Sequence, residues 1–441
     1  MPSIRLFTLV ALWAAILCVA GSVPTAPAQA QASGMTVALQ TAPGTGDAFS
    51  NAQRVEGWRA DLKTLAAELP KLHANLFASM TKQQWLQAVA QLDADIPNLN
   101  DDAVTVRLMQ LVNMAGDSHT AVLVGPQAGF RFYPLGLYWF ADGVYVVQTK
   151  EEFKDLLGAR LTAIDGQALD DVVDSCAVVI PHENESQLRS QAPLFVVMAE
   201  ILSALGVSPS ADSAHFSLAL RSGEEGGIEL TPLVPSRDTE YVEVLDPATP
   251  RPYYMHEPDH EYWTEWLPLS NTLYLAYNQC AERADLPMAD LVTQVQQGLD
   301  GLPEGRLVID LRNNSGGDSA LLDPLIDKLA ARPEVNQRGH LFVLIGRRTF
   351  SSAVLNALAL KDKTQAIFVG EPTGGKPSHF GEVKQFQLPI SGLTVTYSTK
   401  YFDYHGDTSP SLVPDVAVEE TFENYMAGRD VVFAAAVEWK P

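Results

Sequence analysis

The chain is 441 residues long, 46% apolar, and carries a formal charge of −23 at neutral pH. That apolar share can fill sizeable cores, which excludes general disorder. The acid excess comes with no basic cluster to neutralise phosphates, so nucleic acid is excluded as a partner; the charge bears on solubility and on repulsion from anionic surfaces, not on fold.

The chain opens with Arg5, an apolar run from Leu6 to Gly21, and small residues ending in Ala28-Gln29-Ala30. A charged n-region, an h-region and an A-x-A site in that order predict a signal peptide over residues 1–30, and hence export to the periplasm or the exterior. The run is shorter than the ~20 apolar residues a membrane helix needs, and no later segment is long and apolar enough, so no span is expected after signal removal. Cys18 leaves with the signal; Cys176 and Cys280 remain, as a disulfide that export permits or as two buried thiols.

Residues 31–47 are rich in Gln, Ala, Thr, Gly and Pro and are expected to form a flexible lead-in. Over 48–130 apolar residues recur at helical spacing (Trp58, Leu62, Leu65, Leu69, then Trp85, Ala88, Val89, Leu92), which predicts an N-terminal helical domain. Over 131–235 short apolar runs separated by glycine turns predict a β-rich module, interrupted by a helical insert from about Glu185 to Leu205. Over 236–441 strands alternate with helices, the pattern of α/β layers.

Within that last region, LVIDL runs into RNNSGG, and HLFVLIG runs through RRTFSS into an apolar helix. A serine at a helix start sits among free N–H groups that favour developing negative charge, so Ser351 is the candidate nucleophile. The paired glycines Gly316 and Gly317 let backbone N–H groups approach a substrate carbonyl, as an oxyanion hole requires. The plainer roles are a helix N-cap for Ser351 and an ordinary strand-to-helix loop for the glycines; a phosphate cradle is excluded because neither a lysine-bearing P-loop nor GxGxxG is present. His256-Glu257-Pro258-Asp259-His260 matches HExxH as text, but Pro258 between the histidines breaks the helix that zinc ligation needs, so no metal and no cofactor are expected. His73, His379 and His405 read as structural or surface residues.

VIDLRNNSGG, TFSSAVLNALALKD, GEPTGGK and a late VPDV, in that order between about Tyr274 and Val418, resemble the tail-specific (C-terminal processing) protease and tricorn-core family of serine peptidases. Upstream, PLGLYWFADGVYVVQ and GARLTAIDGQALDDV resemble the PDZ-like module of that family. The resemblance implies an α/β fold: a crotonase/Clp-protease-like catalytic core with a PDZ-like β-rich module and an N-terminal helical domain. It also implies a serine-type peptidase forming an acyl-enzyme on Ser351, with Ser352, Gly316 and Gly317 as oxyanion donors and a peptide or protein, recognised near its C-terminus, as substrate.

The family offers two bases. Lys376, in a glycine turn, matches the lysine of tail-specific proteases, although Phe380 and Val354 replace that subgroup's glutamine and glutamate. The tricorn-like version uses a serine–histidine pair, matched by Ser118 (orienting) and His119, with a late acidic residue for which Asp407 is the candidate. His119 is preferred, because an unperturbed histidine suits a general base near neutral pH. Leu135, Gly136 and Leu137 are the candidate carboxylate-capturing loop of the PDZ-like module, or a plain hairpin edge. Two other functions remain open on the same core: a catalytically silent peptide or hydrophobic-ligand binder, and a small-molecule esterase or amidase. The sequence leaves the oligomeric state open.

Overall fold

The computed structural model describes residues 51–440 apart from 237 and 302–304, so the expected signal peptide and lead-in lie outside the described residues. Three helices come first: α1 (Asn51–Leu72), α2 (Lys82–Asp95) and α3 (Asp101–Asn113). Thr81 and Gln84 form a reciprocal capping box at the start of α2, and the Asn100 side chain caps α3 by accepting from the Ala103 amide. The apolar stripe read from the sequence is buried: Leu62, Leu65, Leu69, Trp85, Leu92, Leu108 and Leu111 enter one core.

After β1 (Ala121–Leu123), a twisted seven-stranded sheet contains β2 (Leu135–Phe140), β3 (Gly143–Thr149), β4 (Arg160–Ile164), β5 (Gln167–Ala168), β6 (Ala214–Ala219), β7 (Glu225–Leu230) and β8 (Val242–Glu243). Three helices lie between its strands: α4 (Leu169–Ala177), α5 (Glu185–Phe195) and α6 (Ala199–Ala204). The last two fall in the expected helical insert; α4 has no counterpart in the sequence reading. Its nine residues LDDVVDSCA bury Leu169, Val172, Val173 and Cys176 at helical spacing, but the segment is too short to stand out as a periodic pattern.

The remaining α/β layer is a six-stranded sheet built from β9 (Tyr262–Leu267), β10 (Thr272–Tyr277), β11 (Arg306–Asp310), β12 (Leu341–Ile345), β13 (Ile367–Gly370) and β16 (Val416–Ala417), in the order β16-β13-β12-β11-β10-β9. All pairs are parallel except β9–β10. Parallel strands joined by helices are covered on both faces, which is why β10, β12 and β13 are buried throughout. Alternation within β11 sorts the faces: Leu307 and Ile309 meet the helices α7 (Met288–Asp300), α8 (Asp323–Ala330) and α9 (Ser352–Lys363). Val308 meets Val432 and Ala436 of the C-terminal helix α11 (Val431–Val437), which follows the short α10 (Phe422–Met426). The long hairpin β14 (His379–Gln387) and β15 (Thr394–Phe402) leaves this sheet altogether and pairs with β1. Its turn is tied to α1 by buried Asp61, which accepts the amides of Ile390 and Ser391 at 2.8 Å each.

One buried ion cluster holds α11 to the sheet. The Arg312 guanidinium lies between Asp310 and Asp430, the N-cap of α11, and stacks over Tyr254 at 4.6 Å. Asp310 also accepts the Tyr274 hydroxyl at 2.6 Å. Removing one member of such a cluster strands the others without a partner, so Arg312→Ala is expected to cost about 3–5 kcal/mol. Urea unfolding checks this; a loss under about 1 kcal/mol would show that the cluster does not hold the helix.

Candidate active site

The loops after β11 and β12 lie at the carboxyl ends of adjacent parallel strands, where open α/β sheets place their sites. Three hydrogen bonds join them: Thr349 Oγ1 to the Leu311 carbonyl at 2.9 Å, the Phe350 amide to the Asn314 carbonyl at 3.1 Å, and Ser352 Oγ to the Gly317 carbonyl at 2.6 Å. The approach is so close that a β-carbon at Gly316 would stand 2.8 Å from Ser351 Cβ, and one at Gly317 would stand 2.2 Å from the Cys280 carbonyl. Both positions have positive φ (112° and 131°), so glycine is required there for conformation as well as space. From the other side Gly375, in the PTGGK turn, approaches so closely that a β-carbon there would be 3.2 Å from the Ser351 amide nitrogen.

Ser351 therefore sits between two glycine turns, half-buried, at φ 53° and ψ −125°. This conformation costs a non-glycine residue about 1–3 kcal/mol and persists only where its surroundings fix it. The Ser351 side chain makes no capping bond to α9, so the plain N-cap role falls away. Among the described residues, the amides of Ser352 and Gly317 donate to no protein group, whereas the Gly316 amide is taken by Asn314 Oδ1 at 2.9 Å. Of the three expected oxyanion donors, two are thus free beside Ser351, and the third is committed to shaping the loop.

His119 reaches the same place from the segment between α3 and β1. Its ring stacks on Phe350, the residue before Ser351, with centroids 4.4 Å apart and planes 25° apart, and on His379 at 5.9 Å. His119 Nδ1 faces two buried carboxylates, Asp117 Oδ1 at 3.4 Å and Glu183 Oε1 at 4.0 Å. Those separations are ion-pair range rather than hydrogen bonds, and both ring nitrogens are buried without a hydrogen-bond partner. Burial disfavours the charged ring, but the Asp117 and Glu183 carboxylates outweigh it and hold the His119 pKa above the ordinary histidine value.

Asp117 is the fixed point of this cluster. Its Oδ2 accepts from Thr120 Oγ1 at 2.6 Å, Ser398 Oγ at 2.6 Å and His73 Nε2 at 3.1 Å, while Oδ1 accepts the His119 amide at 3.0 Å. Burial alone would raise its pKa; contact with His119, His73 and Ser398 holds it well below the usual carboxylate value instead. Glu183 stands the other way: burial raises its pKa, and His119 only partly offsets this. Ser118 donates to Glu183 Oε1 at 3.0 Å, so its orienting action runs through that carboxylate. The ligand atoms of Asp117, His119 and Glu183 lie within 4.8 Å of one another, close enough for a metal ion, but the Asp117 oxygens are already engaged by donors.

The other expected residues are placed differently. Lys376 and Asp407 line a cavity of about 440 Å³ together with Glu183, Ser378 and His379. The Lys376 amide donates to Glu183 Oε2 at 3.4 Å. Asp407 is bound to the Ser409 amide at 2.8 Å, and the carboxylates that act on His119 are Asp117 and Glu183 rather than Asp407. An aspartate two residues before a histidine can form a local Asx turn, and that signal was present at Asp117; Glu183 has no local signal. Leu135 and Gly136 are buried in β2, paired to Thr149 and Gln148, and the Leu135 amide donates to the Tyr133 carbonyl, so this stretch presents no open carboxylate loop. His256 and His260 lie outside any helix, so the HExxH text has no shared helical face. Cys176 and Cys280 are free, buried thiols whose pKa values burial pushes up to about 12.

The resemblance read from the sequence is borne out by comparison with known proteins. Residues 323–418, from the start of α8 to just past β16, match the model of peptidase family S41. A carboxyl-terminal-processing protease of Picosynechococcus sp. is 29% identical over 191 residues, 37% of this chain and 44% of that protein, so the match spans less than half of the curated relative. Among solved structures, mature CPAF complexed with lactacystin aligns over 88% of this chain and 98% of its own with a TM-score of 0.60 at 14% identity. A CPAF S499A mutant aligns over 87% and 97%, with a TM-score of 0.60 at 12% identity. These likenesses show the fold, an α/β core of this class with its accompanying modules.

Histidine titration tests the electrostatics directly. NMR of ring-labelled protein is expected to place the His119 midpoint above 6.5 and that of His379, lowered chiefly by burial and secondarily by His119, at about 4. Glu183→Gln removes a negative neighbour and is expected to lower the His119 midpoint. An unchanged midpoint would show that Glu183 does not act on the ring.

Proposed function

We propose that this chain is an exported serine peptidase that hydrolyses peptide bonds through an acyl-enzyme on Ser351, with His119 as general base. The observation that carries the reading is the convergence at one point of a serine in a strained turn, two free amides from separate loops, and a histidine ring stacked on the preceding residue. Match to the S41 family model supports it. The leader-like order of residues 1–30 supports export.

In this mechanism Nδ1 of His119 faces Asp117 and Glu183, which leaves Nε2 to take the Ser351 hydroxyl proton as the oxygen attacks the carbonyl carbon. The two carboxylates stabilise the imidazolium that forms. The tetrahedral oxyanion is held by the Ser352 and Gly317 amides; one such donor is worth about 2.7–4 kcal/mol in other serine hydrolases. The imidazolium then returns its proton to the leaving amine, and water hydrolyses the acyl-enzyme by the same route. His379, kept neutral by burial and donating from Nδ1 to the Lys376 carbonyl at 2.9 Å, packs on the far face of the base without adding charge. The arrangement favours the histidine version of the family over the lysine version.

Ser351→Ala is expected to abolish peptide turnover with circular dichroism and thermal midpoint near wild type; wild-type rates in that variant would remove Ser351 from the mechanism. His119→Ala is expected to lose orders of magnitude in kcat, with Lys376→Ala far milder, and equal mild losses would contradict the assignment of the base. The base acts unprotonated, so kcat/KM is expected to rise with pH through a midpoint above 6.5, set by the raised His119 pKa. Glu183→Gln moves that limb to lower pH, and an unmoved limb would assign it to another group.

A further inference from the structure

The turn that delivers Ser351 carries an arginine with nothing to bind. Gly346 and Thr349 close a tight turn, the Thr349 amide donating to the Gly346 carbonyl at 2.9 Å and the Gly346 amide to Thr349 Oγ1 at 3.0 Å. Arg347 and Arg348 form its tip. Arg347 is fully used: it donates to the Trp139 carbonyl of β2 at 2.6 Å and pairs with Glu371. Arg348, the next residue, is half-buried and has no hydrogen bond or ion pair with any described residue.

Its surroundings set it apart from the other buried arginines. Arg131, Arg283, Arg312 and Arg347 each lie against carboxylates that favour their charge. At Arg348 burial instead makes the guanidinium less basic, and no carboxylate among the described residues acts in its favour. The Arg348 nitrogens are not among the polar atoms sealed from solvent, and Tyr138 of β2 is 43% exposed, so the guanidinium can be reached from outside. Holding a charge inside protein without a partner is costly. In a chain with a net charge of −23, this cation is nevertheless left unpaired among the described residues.

We propose that Arg348 anchors a carboxylate of the substrate beside the scissile bond. This deepens the peptidase reading above and rests on it for the substrate class. Two residues separate Arg348 from Ser351, a backbone span of at most ~11 Å, so the anchored carboxylate lies within a few substrate residues of the attacked carbonyl. A guanidinium meets a carboxylate through two parallel N–H···O bonds, a geometry that lysine cannot reproduce. Either a free peptide C-terminus or a Glu or Asp side chain supplies that group.

The test measures binding to full-length Ser351→Ala protein by fluorescence anisotropy, which separates recognition from hydrolysis. The probes are fluorescein-labelled, randomised hexapeptides in three pools: C-terminal acids lacking Asp and Glu, the matching C-terminal amides, and amides with one fixed Glu. At least one carboxylate-bearing pool is expected to bind roughly ten- to a hundredfold tighter than the neutral amides; preference for the acids assigns a terminal carboxylate, and preference for the fixed-Glu pool assigns a side chain. Adding Arg348→Gln is expected to collapse that ratio toward one, and Arg348→Lys to keep only part of it. Because the unpaired guanidinium costs folding energy, Tm of the Arg348→Gln protein is expected to equal or exceed that of its parent. Equal binding of all pools, a ratio that survives Arg348→Gln, or a large drop in Tm in that variant would overturn the proposal. Failure of wild-type protein to hydrolyse any peptide, with the binding ratio intact, would instead remove the peptidase reading and leave the anchor in place.

Discussion

The site depends on one steric constraint: the loops after β11 and β12 approach so closely that no side chain fits between them. Gly316 and Gly317 occupy positive-φ positions where a β-carbon would strike Ser351 or the Cys280 carbonyl. Contact at that distance lets the Ser352 hydroxyl donate to the Gly317 carbonyl and fixes Ser351 in a turn it would not otherwise keep. The glycines thus set how near two strand ends can come.

A second constraint runs from the opposite end of the sequence. His119 precedes Ser351 by more than two hundred residues and is held by packing of β1 on β15, whose Ser398 hydroxyl reaches Asp117. Residues 379–402 lie within the expected core by sequence, yet their hairpin shares a hydrophobic cluster with α1 to α3 and the seven-stranded sheet. The hairpin therefore packs against the element that carries His119 and continues from the glycine turn that abuts Ser351. Arg347, bonded to the Trp139 carbonyl, makes a similar bridge between β2 and the nucleophile turn. Geometry at the reacting centre is a property of these inter-module contacts as much as of either module alone.

The parallel core was legible because strands buried on both faces read as apolar runs, and because glycine pairs and a serine pair mark the turns that follow them. Ser351, Ser352, Gly317 and His119, singled out on that basis together with the family's ordered motifs, are brought to one place by the fold. What escaped was non-local. Glu183 lies just before α5, and nothing in its neighbourhood announces that it will face a histidine 64 residues earlier. Asp407 was selected for its closeness to VPDV in sequence, a criterion that carries no information about which side of the cavity a loop will line. Gly316 was expected as an oxyanion donor, but the Asn314 side chain that claims its amide could be recognised only in three dimensions.

Organophosphate labelling followed by crystallography tests the central claim most directly. In protein treated with diisopropyl fluorophosphate, the phosphorus is expected on Ser351 Oγ, with its phosphoryl oxygen about 2.7–3.1 Å from both the Ser352 and Gly317 amides and His119 Nε2 facing the adduct. An adduct on another residue, or a phosphoryl oxygen turned away from those two amides, would contradict the account.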